Sequence, residues 1–73
     1  MRVTYDRSAD AVYISLTEEP LTPGRDSVPA PPPPGADAFV VLDWKDNRLA
    51  GIEVRDARSK LHPDFRDQAD LID

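Results

Sequence analysis

Cysteine is absent from all 73 residues. That excludes a disulfide framework and any zinc site built on thiolate. A chain of this length buries only about 60% of the surface its unfolded form exposes, so oligomerisation is the expected supplement to a small core. Histidine occurs once, as His62, so no second imidazole completes a transition-metal site. No apolar run reaches the roughly 18 residues of a membrane span, and Met1-Arg2-Val3-Thr4-Tyr5-Asp6 lacks the apolar core of a signal peptide. A soluble cytoplasmic protein with no membrane partner is expected. Basic charge is in the minority, nine Lys and Arg against fourteen Asp and Glu for a net charge of −5. Such a balance repels phosphates unless the basic residues gather on one face, and Asp56, Asp64 and Asp67 interrupt Arg55, Arg58, Lys60 and Arg66. No direct nucleic-acid partner is expected.

What is present is strand-like alternation. Val3 and Tyr5 alternate with Arg2 and Thr4, and Val12, Ile14 and Leu16 alternate with Ala11, Tyr13 and Ser15, the period-two signature of a hairpin with unequal faces. The loop Asp6-Arg7-Ser8-Ala9-Asp10 has neither glycine nor asparagine, which favours a wider loop on a type I turn over a two-residue primed turn. Asp6 is expected to accept a backbone N–H two residues on, and Asp10 to do the same at the loop exit. Pro23-Gly24 fits a type II turn. Residues 25–28 then read as an edge strand, because Pro29 cannot donate to a ladder.

Residues 29–35 are dominated by proline and predict an extended polyproline spacer. Pro31 and Pro34 satisfy P-x-x-P spacing, which offers a docking ligand. The alternative, a stiff crossover that guards a sheet edge, is favoured because the nearest preceding basic residue is Arg25. Phe39-Val40-Val41-Leu42 shows no polar alternation, as a strand covered on both faces reads, and residues 48–55 pair with it. If Asp46-Asn47 is a two-residue turn, Phe39, Val41, Ile52 and Val54 share one face and Val40, Leu42, Trp44, Leu49 and Glu53 the other. A three-residue loop exchanges these partners. Either register leaves apolar side chains on both faces. Asp56 suits the N-cap of a single helical turn, and Pro63 starts a helix over 63–71 with Phe65, Ala69 and Ile72 at i, i+4 and i+7.

The expected fold is therefore α+β, mainly β: a four- to five-stranded, largely antiparallel sheet with a short C-terminal helix. It forms a single domain over 1–73, made of an N-terminal hairpin and edge strand (1–28), a polyproline crossover (29–35), a C-terminal hairpin (38–55) and a helical tail (56–73).

Tyr5-Asp6, Ala9-Asp10-Ala11 and Tyr13-Ile14, with Ala50-Gly51-Ile52-Glu53-Val54 and Asp56-Ala57, resemble the bacterial family known as domain of unknown function 2283. The resemblance covers most of the chain except the proline segment. It implies a small β-sheet protein with a helical tail and no established biochemical activity. By analogy with relatives encoded beside toxin-like genes, it also implies an antitoxin-like or regulatory partner of another small bacterial protein.

Carboxylates are the abundant reactive groups, with Asp6, Asp10, Asp43 and Glu53 in or beside strands. A ligand or divalent-metal site using Asp6, Asp10, Tyr13 and Glu53 is the alternative functional reading, although the spacing matches no metal loop. Neither a metal nor another cofactor is expected. Ser8, Ser15, Ser27 and Ser59 lack a G-x-S-x-G context and share a single histidine, so no catalytic residue is assigned and the protein is read as non-enzymatic. Tyr5 is expected in the core. The leading expectation is a symmetric homodimer through Val40, Leu42, Trp44 and Leu49, with Tyr13 a further interface candidate.

Overall fold

The first hairpin forms around Asp6. In the computed structural model, which describes residues 1–18, 26–37, 39–67 and 69–71, β1 (Arg2–Asp6) and β2 (Ala11–Ser15) pair antiparallel from Arg2↔Ser15 to Asp6↔Ala11. Asp6 Oδ1 accepts from the Ser8 N–H at 3.0 Å, the Ser8 hydroxyl at 2.8 Å and the Ala9 N–H at 3.3 Å. The turn thus has its acceptor where an Asx turn needs one. Asp10 leaves the loop in the left-handed region, with φ 50°.

The second hairpin joins β4 (Val40–Lys45) to β5 (Arg48–Arg55). Its turn residues have positive φ, 52° at Asp46 and 62° at Asn47, the pair of left-handed conformations that a two-residue type I′ turn requires. β3 (Asp26–Pro29) pairs antiparallel with β4 and is exposed along its whole length, the edge strand that Pro29 predicts. The proline segment between β3 and β4 is not extended throughout. Ala36 donates to the Pro33 carbonyl at 3.1 Å and Gly35 has φ 82°, so the chain reverses in a type II turn at Pro34-Gly35, where only glycine takes that φ without strain. The turn expected at Pro23-Gly24 lies outside the described residues.

The tail differs from expectation. The single turn expected after Asp56 is present as α1 (Ala57–Lys60), but in place of one helix over 63–71 there is a shorter helix, α2 (Pro63–Asp67), followed by a strand, β6 (Asp70–Leu71). β6 runs parallel to β1, with Thr4↔Asp70 and Tyr5↔Leu71. The free edge of β1 offers ladder hydrogen bonds that a helix too short to stand alone does not outcompete. Phe65 is 39% exposed instead of docked, while Ala69 packs against the core. The sheet order is β3-β4-β5-β2-β1-β6, with five antiparallel strands and the two-residue parallel addition at one edge.

Cross-strand partners project to the same side, so the register assigns the faces. Between Asp43↔Gly51 and Trp44↔Leu49 the pairing shifts, and Ala50 is the extra residue of a β-bulge. This overturns the faces expected from a two-residue turn. Ile52 now pairs with Leu42 and Val54 with Val40, while Val41 faces Glu53. One face consequently gathers Val3, Tyr5, Val12, Ile14, Val40, Leu42, Ile52 and Val54, and the other carries Thr4, Tyr13, Ser15, Ser27, Asp43 and Glu53. The sheet is apolar on one side and largely polar on the other, not apolar on both.

The core is small. Tyr5, Val12, Val54 and Ala57 form its buried cluster, with Phe39, Val40, Leu61 and Ala69 among the residues packed around it. Only Val12 is a fully buried large side chain among the described residues. Lys60 Nζ lies 5.0 Å from the centroid of the Phe39 ring, a cation–π contact that helps hold α1 over this end of the face.

Candidate functional site

The helical tail covers only part of the apolar face. Beyond the sealed cluster, Leu42 and Leu49 are half-buried, and Leu16, Val28 and Trp44 are 41%, 49% and 37% exposed. Trp44 and Leu49 are cross-strand partners, as are Val28 and Leu42, so these side chains form one continuous patch. Concave spaces flank it. One of about 550 Å³ is lined by Leu16, Leu49 and Ala50 with Lys45 and Arg48, and one of about 320 Å³ by Val28, Trp44 and Asp26 with the turn Asp46-Asn47. Of the expected interface residues, Leu42, Trp44 and Leu49 belong to this patch. Val40 shares the face but packs against the sealed core.

Tyr13 lies on the opposite face. Its hydroxyl donates to Asp43 Oδ2 at 2.7 Å, and the Ser27 hydroxyl donates to Asp43 Oδ1 at 2.6 Å. Asp43 is 3% exposed, so its carboxylate depends on these donors to offset desolvation. The phenol crosses β5 at Gly51, where a methyl group would overlap the Tyr13 hydroxyl and ring. Glycine is thus required there for room, and the network ties β2, β4 and β3 together across the notch. Sequence reading weighed Tyr13 against an interface and Asp43 against a metal, and missed that they bond to each other. The signal was Gly51 inside a strand pattern, a mark of close approach.

A second polar junction anchors the tail. Asp10 Oδ1 accepts from the Tyr5 hydroxyl at 3.0 Å and from the Arg58 N–H at 3.2 Å, and the Asp10 carbonyl accepts from the Ala57 N–H at 3.0 Å. Asp56 is the N-cap of α1 but is left-handed and makes no side-chain cap. Asp10 caps that helix in its place, from a loop far away in sequence. Arg58 Nε reaches the Tyr5 hydroxyl at 3.4 Å and lies 3.7 Å from Asp10 Oδ1. That hydrogen bond to Tyr5, followed by the nearby charge of Tyr5 and Asp10, raises the Arg58 guanidinium above its ordinary value. Asp6 is shifted the other way. Its carboxyl is lowered chiefly by the Ser8 hydroxyl, with help from the Ala9 and Ser8 N–H groups.

The four residues of the alternative ligand reading are thereby divided. Asp6 serves its own turn, Asp10 the tail, Tyr13 bonds Asp43, and Glu53 bonds Arg55 Nε at 2.9 Å. Among the described residues no three His, Cys, Asp or Glu side chains gather as a metal ion requires. The serine hydroxyls go to Asp6, the Thr17 carbonyl, Asp43 and the Asp56 carbonyl, for Ser8, Ser15, Ser27 and Ser59 respectively. His62 is exposed and its Nδ1 accepts from the Asp64 N–H at 3.1 Å. No helix among the described residues is long and apolar enough to cross a membrane.

A family model described as "Protein of unknown function (DUF2283)" matches residues 2–58. No curated protein and no solved structure matches the chain.

Proposed function

The chain belongs to the DUF2283 family, and we propose that it is a non-enzymatic interaction module that associates with a second copy of itself through the open half of its apolar face. The observation that carries this reading is the patch of Leu42, Trp44, Leu49 and Val28, continuous with the core yet left uncovered by the tail. Exposed contiguous apolar surface of this kind marks contact sites.

The chain exposes more surface than a compact monomer of its mass. A compact monomer of 8.1 kDa is expected to expose about 4,500 Å², whereas the chain exposes 5259 Å². The excess, about 770 Å², is spread over the whole chain, so the share on the open patch is smaller than the ~800 Å² that each partner contributes to a standard interface. Exposed residues 31–35 supply part of it and the open patch another part. A two-fold arrangement lets one patch bury its own copy.

The same reading includes residence in a bacterial cytoplasm and, by family analogy, a regulatory or antitoxin-like role toward another small protein. Light scattering across the micromolar range tests its first step. The wild type should weigh twice 8.1 kDa and Trp44→Asp should weigh that of a monomer with unchanged circular dichroism. A strict monomer in both proteins overturns it.

A further inference from the structure

Alternate residues of β3 turn toward β4. Ala30 donates to the Val40 carbonyl at 2.8 Å, and the register places Asp26 opposite Trp44 and Val28 opposite Leu42. In an antiparallel ladder this makes 26, 28 and 30 the residues whose N–H and C=O groups face β4. Ser27 and Pro29 therefore direct theirs outward. Pro29 has no N–H, so Ser27 supplies the only backbone donor that β3 directs outward. The chain continues into Pro31, Pro32, Pro33 and Pro34, none of which carries a donor.

Joining two sheets edge to edge requires an outward row of donors and acceptors on each strand. Here half the outward donors of β3 are missing, and the exposed apolar side chains lie on the face instead. We infer that Pro29 closes the β3 edge to strand addition, so that at this end of the sheet the second copy is admitted face to face, over Val28, Leu42, Trp44 and Leu49, as a two-sheet sandwich, and not by pairing β3 with β3. This rests on the self-association proposed above and specifies its geometry.

Two experiments test it on the full chain. Because no native cysteine competes, Trp44→Cys and Leu49→Cys report separation directly when treated with a short bismaleimide. In an edge-joined dimer the two copies of Leu49 stand five strand spacings apart, about 24 Å, whereas packed sheets are about 10 Å apart. Covalent dimer from Leu49→Cys is expected and discriminates best, because the two copies of Trp44 stand only three strand spacings, about 14 Å, apart in an edge-joined dimer. The second experiment restores the donor with Pro29→Val, which should drive assembly beyond the dimer as both edges open.

A protein that has dimer mass but forms no covalent dimer with either cysteine variant overturns the face-to-face geometry and leaves self-association standing. A Pro29→Val protein whose mass equals the wild type overturns the closed edge. A wild type that is monomeric while Pro29→Val dimerises sinks the self-association reading but supports the closed edge.

Discussion

The two halves of the apolar face share β4 and β5, and they differ in what lies over them. At one end Val12 and Val54 are sealed under Ala57, with Tyr5 holding the Asp10 junction beside them. At the other, Leu42 and Leu49 are only half-buried, and Trp44 and Val28 reach solvent. The sealed half shows what the open half lacks. The helices α1 and α2 are four and five residues long, and helices this short cover only part of a sheet face.

That contrast requires equal insults to the two halves to have unequal effects. The largest should come from Val12→Ala, which empties the fully buried site and should cost about 2–3 kcal/mol in urea unfolding. Next is Asp10→Ala, which strips the cap from α1 and leaves the Tyr5 hydroxyl without its acceptor. A loss of about 1–2 kcal/mol is expected, with faster amide exchange confined to α1 and its neighbours. Trp44→Asp on the open half should change the unfolding free energy of the dilute monomer by no more than about 0.5 kcal/mol, because its cost falls on association. A large loss in the dilute monomer would erase the distinction between the halves.

The smallest effect belongs to neither half. Asp6 is lowered in the folded state by its hydrogen bonds to Ser8 and Ala9. Its contribution is therefore present above the unfolded carboxylate value, 3.8, and is lost as pH falls through the lower folded value. Asp6→Asn should flatten the acid limb of the stability curve in that window and leave the neutral plateau nearly level, as pH-dependent thermal melts would record.

Local chemistry made much of the fold legible. The Asp6 turn and the edge position of β3 beside Pro29 each follow from one residue type, and Asp46-Asn47 resolves to the shorter of the two loops considered; α1 does start after Asp56, but Asp10 and not Asp56 supplies its cap. What did not follow were features set by distant partners. Ala50 looks like an ordinary strand residue, yet as the bulge it moves Ile52 and Val54 to the other face, since a one-residue slip inverts every side chain beyond it. Asp10 capping α1 and Tyr13 reaching Asp43 join residues 48 and 30 positions apart, and no periodicity announces either. The tail misled because Phe65 and Ala69 suit a helix face, while the open edge of β1 decided the outcome. Of the five interface candidates, the structure groups Leu42, Trp44 and Leu49 in the patch, packs Val40 against the core and puts Tyr13 on the opposite face.

Trp44 is the sole tryptophan and sits in the middle of the open half, so its emission spectrum reads the central claim without a label. Diluting the wild type from high micromolar to nanomolar concentration should shift that emission to the red and raise its accessibility to iodide, as a second copy leaves the indole to water. An emission maximum and quenching constant that stay the same over the whole range would contradict the account.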